Sequence, residues 1–108
     1  MLFRSLGENT ADNGGVRIAL MALQDTIAGK TLAPRDGFTP EQRLFLGWGQ
    51  IWCQNETEES SKLRAQVDSH SAGRYRVIGV VSNMPEFQKA FSCPAGAPMV
   101  RANACRVW

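Results

Sequence analysis

Gly7-Glu8-Asn9-Thr10-Ala11-Asp12-Asn13-Gly14-Gly15 runs straight into Val16-Arg17-Ile18-Ala19-Leu20-Met21-Ala22-Leu23-Gln24-Asp25-Thr26-Ile27. In the second half Val16, Ala19, Leu20, Leu23 and Ile27 recur at the three- and four-residue steps of an apolar helical stripe. The spacing predicts a helix that begins before Glu8 and ends near Gly29, with Gly14-Gly15 inside it. Each glycine costs a helix about 1 kcal/mol relative to alanine, so close approach of another backbone is the expected reason for the pair. On that helix Glu8 and Asp12 share one face, about 6 Å apart along the axis. Two carboxylates so placed read either as a solvated acidic first turn, favourable at a helix N-terminus, or as a pair working beside a cation. The stripe and glycines that follow imply that this turn is packed, which argues for the second reading.

Working outward, Pro34 and Gly37 punctuate a loop. Thr39-Pro40-Glu41-Gln42 then has the form of a helix start, with Thr as cap, Pro in the first turn and Gln three residues on. The helix it opens carries Leu44, Phe45, Leu46, Trp48, Ile51, Trp52 and Cys53, apolar on more than one face, and is expected to be covered on several sides. A further helix is expected over 61–67. Segment 74–81 alternates like a strand, yet it is short and flanked by glycines, so pattern alone leaves it open. Residues 85–91 form a short helix with Phe87 and Phe91 one turn apart, and the last seventeen residues read as an irregular tail.

A length of 108 residues allows one domain or a piece of one. An apolar share of 44% and a charged share of 20% belong to a globular chain rather than a disordered one. Twelve basic against ten acidic residues leave +2 with no basic block, which argues against a nucleic-acid face. No apolar run approaches the roughly 18 residues of a membrane span, and the opening Met1-Leu2-Phe3-Arg4-Ser5-Leu6-Gly7 has no apolar core long enough for a secretory signal. Cys53, Cys93 and Cys105 share none of the spacings of a zinc knuckle. Their odd number leaves three options: free thiols, one internal bridge with a spare, or bridges to chain lying elsewhere.

His70 is the one histidine, in Asp68-Ser69-His70-Ser71-Ala72-Gly73-Arg74-Tyr75-Arg76. A lone histidine in a polar loop is ordinarily a surface residue. With a nearby arginine and two carboxylates it could help to bind a metal and an oxyanion. It cannot complete a catalytic zinc site, which takes about three protein ligands. Ser69 and Ser71 lie in no GxSxG elbow, so a serine hydrolase is not expected.

The string from Gly7 to Gly15 closely resembles the Gly-Glu-Asn-Ile-Ala-Asp-Asn-Gly-Gly motif of the neprilysin and endothelin-converting-enzyme family of zinc metallopeptidases. The likeness continues through Phe38-Thr39-Pro40-Glu41-Gln42, Gln50-Ile51-Trp52-Cys53, His70-Ser71-Ala72-Gly73-Arg74-Tyr75-Arg76-Val77 and Ser82-Asn83-Met84-Pro85-Glu86-Phe87. It ends at Cys105-Arg106-Val107-Trp108, so it spans residues 5–108 in the family's order. Thr10 stands for the usual Ile, Ala72 for a proline, and Val100-Arg101 for a frequent Asn-Pro.

The resemblance implies a mainly helical fold, the C-terminal part of a thermolysin-like catalytic domain, also across 74–81, with residues 1–108 as one incomplete segment. It implies one catalytic zinc, with Glu8 as its third protein ligand and Asp12 as the carboxylate that steadies a zinc-bound imidazole. By the same likeness His70 donates to the oxyanion of the tetrahedral intermediate, Arg76 holds a substrate carbonyl, and Ile51 and Trp52 line the pocket for the residue after the scissile bond. The implied reaction is endopeptidase cleavage of peptides on the amino side of apolar residues.

The His-Glu-x-x-His helix, with two zinc ligands and the general base, does not occur in a chain with one histidine. The chain is therefore expected to be inactive alone and to need the N-terminal part of the same polypeptide as partner. Alternatively it is a non-catalytic remnant or a binding module. In the family the counterparts of Cys53, Cys93 and Cys105 each pair with cysteines upstream of this segment. Such bridges imply an extracytoplasmic setting. Neither nucleic acid nor membrane contact is expected of the segment.

Overall fold

The structure, a computed structural model, describes residues 5–107. Residues 1–4 and Trp108, the end of the terminal match, lie outside the described residues. Among the described residues five helices follow one another: α1 (Leu6–Ile27), α2 (Pro40–Ile51), α3 (Glu58–Val67), α4 (Gly73–Val81) and α5 (Pro85–Ala90). An isolated bridge between Arg35 and Phe38 is the one extended pairing among the described residues. The chain is mainly α, as expected.

The start of α2 shows how the sequence makes its own boundaries. Thr39 Oγ1 accepts the Gln42 N–H at 3.2 Å, and Gln42 Oε1 accepts the Thr39 N–H at 2.9 Å. Two of the first turn's orphan donors are thereby satisfied, and Pro40 has no N–H to satisfy. The helix stops at Ile51 with Trp52 as its cap, so Cys53 falls beyond it. Helix α3 begins three residues earlier than its apolar pattern suggests, because Thr57 Oγ1 accepts the Ser60 N–H at 3.2 Å. At the far end of α1, Gly29 takes φ 72°, a left-handed geometry that glycine adopts at no steric cost.

Segment 74–81 is helix α4. Its β-branched residues Val77, Ile78, Val80 and Val81 suit a strand locally, but burying Val80 and Val81 against α1 and α2 decides the outcome. The buried core is small: Val16 and Leu20 of α1, Phe45 of α2, Val80 and Val81 of α4, and Met84. Phe87 meets Phe45 edge-on with ring centres 5.4 Å apart, and Phe91 packs on Phe87 at 5.0 Å with the ring planes inclined by 43°. Gln42 Nε2 donates to the Ala90 carbonyl at 2.8 Å and ties α2 to the end of α5.

Two expectations are corrected. At Gly15 the expected backbone approach is absent, since a Cβ there would meet nothing within 4 Å, while Gly14 beside it is buried. Helix α2 is covered on one side only: Phe45 is buried while Leu46 and Ile51 stay exposed, Ile51 at 70%. A compact protein of 11.9 kDa would expose about 5,900 Å², and this chain exposes 7775 Å². Its radius of gyration is 15.5 Å, against about 13 Å for a compact chain of this length. The molecule is elongated, 48 × 29 × 27 Å, and much of its apolar surface has no cover.

Candidate functional site

Helix α4 lies along α1, and their seam gathers most of the residues singled out above. Asp12 accepts two hydrogen bonds from Arg76, Nε to Oδ2 at 2.6 Å and Nη2 to Oδ1 at 2.7 Å. The two side chains are 11% and 10% exposed, so this fork is largely withdrawn from water. Hydrogen bonding to Asp12 holds the guanidinium above its already high range, against the opposing pull of burial. Glu8, one turn earlier, lies 3.7 Å from Arg76 Nη2 and is 53% exposed. Glu8 and Asp12 thus divide their roles by depth: Asp12 is locked inside, and Glu8 presents a carboxylate at the surface.

The other face of Arg76 is an aromatic. Its guanidinium sits 4.2 Å from the centre of a Trp52 ring. A Cβ on Gly73 would come within 3.0 Å of the Trp52 carbonyl oxygen, so glycine is what lets the first turn of α4 seat against the end of α2. Trp52, His70 and Arg76 line one cleft of about 630 Å³, with Glu56, Arg64 and Tyr75 around it. Ile51 is not among its lining residues; it stands exposed on α2.

His70 is held by a residue that sequence reasoning passed over. Asp68 Oδ1 accepts the His70 backbone N–H at 2.9 Å and lies 2.9 Å from its Nδ1. The signal was local, since an aspartate two residues ahead closes an Asx turn. When both ring nitrogens carry protons, Nδ1–H donates to Asp68 and Nε2–H remains as a second donor. The Asp68 carboxyl lies below its ordinary 3.8, first because of the His70 backbone N–H and then because of the ring. A carboxylate depressed by folding supports the loop at pH above its unfolded value and releases it as pH falls through the lower, folded one. The His70 turn is thus expected to be intact at pH 5 and to open below the ordinary aspartate range. The His70 amide resonance, followed from pH 6 to pH 2, checks this; a resonance that keeps its position to pH 2 would contradict it.

Further polar contacts hold α1 to the residues on either side of α4 and to α5. Asn9, next to Glu8, donates to Ser71 Oγ, next to His70, at 3.2 Å. Asn83 Nδ2 donates to Asn13 Oδ1 at 3.2 Å, and Arg17 Nη1 meets Glu86 Oε1 at 2.9 Å. These partners lie 62 to 70 residues apart in sequence, which is why no local pattern announced them.

Among the described residues no three His, Cys, Asp or Glu side chains stand together as a metal site. The exposed Glu8 fits zinc as one carboxylate ligand of a set whose remaining donors come from elsewhere. Cys53 and Cys105 are exposed and Cys93 half-buried, all with free thiols.

A profile of peptidase family M13 matches residues 4–107. Endothelin-converting enzyme 1 of Rattus norvegicus is 44% identical over 107 residues, which cover 96% of this chain and 14% of that protein. Neprilysin-3 of Drosophila melanogaster is 38% identical over 109 residues, with 97% and 14% covered. The crystal structure of Mycobacterium tuberculosis zinc metalloprotease Zmp1 in complex with an inhibitor superposes with a TM-score of 0.85 at 36% identity, covering 96% of this chain and 16% of that one. The chain thus spans about 14% of the length of the curated relatives it matches.

Proposed function

This chain belongs to peptidase family M13, and from that membership we propose that it is one wall of the active site of a zinc metalloendopeptidase that cleaves peptides on the amino side of apolar residues. The observation that supports the reading is that Arg76 links the two groups: it meets Glu8 and Asp12 on one side, and together with Trp52 and His70 it lines the cleft on the other. Residues 1–108 form a single segment of the catalytic domain in this reading, and the rest of the same polypeptide is its partner.

Glu8 would hold the zinc as a protein ligand. Zinc bound there would polarise a peptide carbonyl and lower the pKa of a bound water. Asp12 keeps a second lone pair on each oxygen after binding Arg76, so it can also accept from an imidazole N–H and fix that ring's tautomer. Arg76 spends Nε and Nη2 on Asp12 and retains Nη1–H bonds for a substrate carbonyl. His70, oriented by Asp68, donates from Nε2 to the negative oxygen that develops at the carbonyl. Trp52 lines the cleft and offers an apolar surface to the side chain after the scissile bond. Ile51, exposed in this chain, joins that pocket only where other parts of the protein close over it.

In this reading the thiols of Cys53, Cys93 and Cys105, free in this structure, would take partners outside the chain, and such bridges would suit an extracytoplasmic setting. No helix among the described residues is long and apolar enough to cross a membrane.

The chain by itself supplies one zinc ligand and no His-Glu-x-x-His base. It is therefore expected to bind zinc weakly and to cleave no peptide. A quenched fluorescent peptide incubated with the purified chain and added zinc is the direct assay. Chelator-sensitive turnover would show that the chain carries a complete site and would overturn this division of labour.

A further inference from the structure

The seam between α1 and α4 is not closed by apolar packing along its whole length. A cavity of about 200 Å³ opens in it, lined by Asp12, Asn13, Arg76, Asn83 and Arg101 among others. Where side chains do not interdigitate, hydrogen bonds must fix the alignment of the two helices. Asn83, just past the end of α4, uses its whole carboxamide for this. Nδ2 donates to the Gly79 carbonyl at 2.9 Å and to Asn13 Oδ1 at 3.2 Å, while Oδ1 accepts the Cys105 backbone N–H at 3.1 Å. One side chain thereby joins α4, α1 and the C-terminal tail. Asn13 immediately follows Asp12 and is itself anchored, donating to the Asn9 carbonyl at 2.8 Å.

We propose that Asn83 is a positioning residue: it straps the C-terminal tail to α1 and so keeps Asp12 at the rotation where both of its oxygens meet Arg76. The inference rests on the site role given above to the Asp12–Arg76 pair. Its physical basis is the narrow tolerance of a two-pronged contact, since such constellations need their groups within roughly 0.5 Å and 10–20°. Asp12 and Asn13 are neighbours on one rigid helix, so a turn of α1 that breaks Asn13–Asn83 also swings Asp12. The tail enters through its backbone, which leaves the exposed Cys105 thiol free to be tethered elsewhere. A bridge at Cys105 would then reach Arg76 through Asn83, Asn13 and Asp12.

The test reads hydrogen exchange by NMR in the 108-residue chain, at the Arg76 Nε–H and at the backbone amides of Leu20 and Phe45 in the core. In Asn83→Ala the Arg76 Nε–H is expected to exchange about fivefold faster, the effect of losing a neutral hydrogen bond, with the core amides unchanged. Cys105→Pro removes the tail donor while leaving Asn83 in place, and is expected to act in the same direction. Should Asn83→Ala fail to fold, Cys105→Pro decides alone. An Arg76 Nε–H at its original rate in Cys105→Pro would overturn the strap. Core amides that accelerate in step with Arg76 would reduce Asn83 to a general structural role and overturn the proposal equally. Retention of zinc by a Glu8→Ala peptidase would sink the site reading instead, and the exchange result would stand apart from it.

Discussion

In a zinc-loaded family peptidase carrying this segment, Glu8→Ala will lose the metal, whereas His70→Ala will keep it and lower kcat about 10²- to 10³-fold. The contrast follows from where the two side chains act. Glu8 is an exposed carboxylate with one cationic neighbour at 3.7 Å. Its loss removes a ligand, and even the partners behind a ligand are worth 10- to 100-fold in affinity, so at least about 100-fold is expected here. His70 faces the reacting carbonyl rather than the metal in the proposed site, and losing one oxyanion donor costs about 10²–10³ in kcat. Metal content after dialysis, set beside kcat and KM for both variants, separates the roles. Equal loss of zinc in both would show that His70 is misassigned.

The second large effect is on stability. Arg76→Met is expected to destabilise the protein by about 3–5 kcal/mol, because it strands the Asp12 carboxylate at 11% exposure without its cation. That loss approaches the whole stability of the least stable domains, whose range is about 5–15 kcal/mol, and the described residues of this chain hold a core of six buried apolar side chains. Adding Asp12→Asn should restore part of the loss, since the stranded charge then disappears. Urea denaturation of the three variants measures both steps. A drop below about 1 kcal/mol for Arg76→Met would mean that the fork is solvated in solution and contributes as a surface pair does.

How much of this was legible in the sequence depended on whether the deciding contact was local. Thr39 and Gln42 stand three residues apart, and their capping box was readable as it stands. Thr57 caps α3 by the same chemistry but without a Glu or Gln answering from the third position, so the early start went unread. The alternation of 74–81 pointed two ways because its outcome is set by burial against α1, not by its own residues. At the site, the four-residue step from Glu8 to Asp12 put both on one face. The partner that separates their roles, Arg76, comes from 64 residues away. Asp68 was within two residues of His70 and could have been found from Asx-turn chemistry alone.

The polar contacts between α1 and the stretch that runs from Ser71, just before α4, to Glu86 of α5 are unevenly spaced. Along α1 they fall at Asn9, Asp12, Asn13 and Arg17, and opposite them at Ser71, Arg76, Asn83 and Glu86. Evenly spaced teeth would let one helix slide a full turn, about 5.4 Å, and mesh again. These cannot: a slip that brought one pair back together would set the other three against the wrong neighbours, with a half-buried arginine facing an amide and a half-buried aspartate facing nothing charged. The seam therefore works as a cut key, admitting one alignment and no neighbouring ones. Chains that share its teeth are expected to exchange α1 segments and still assemble correctly, while a one-residue insertion in α1 between Asn9 and Arg17 should be tolerated nowhere.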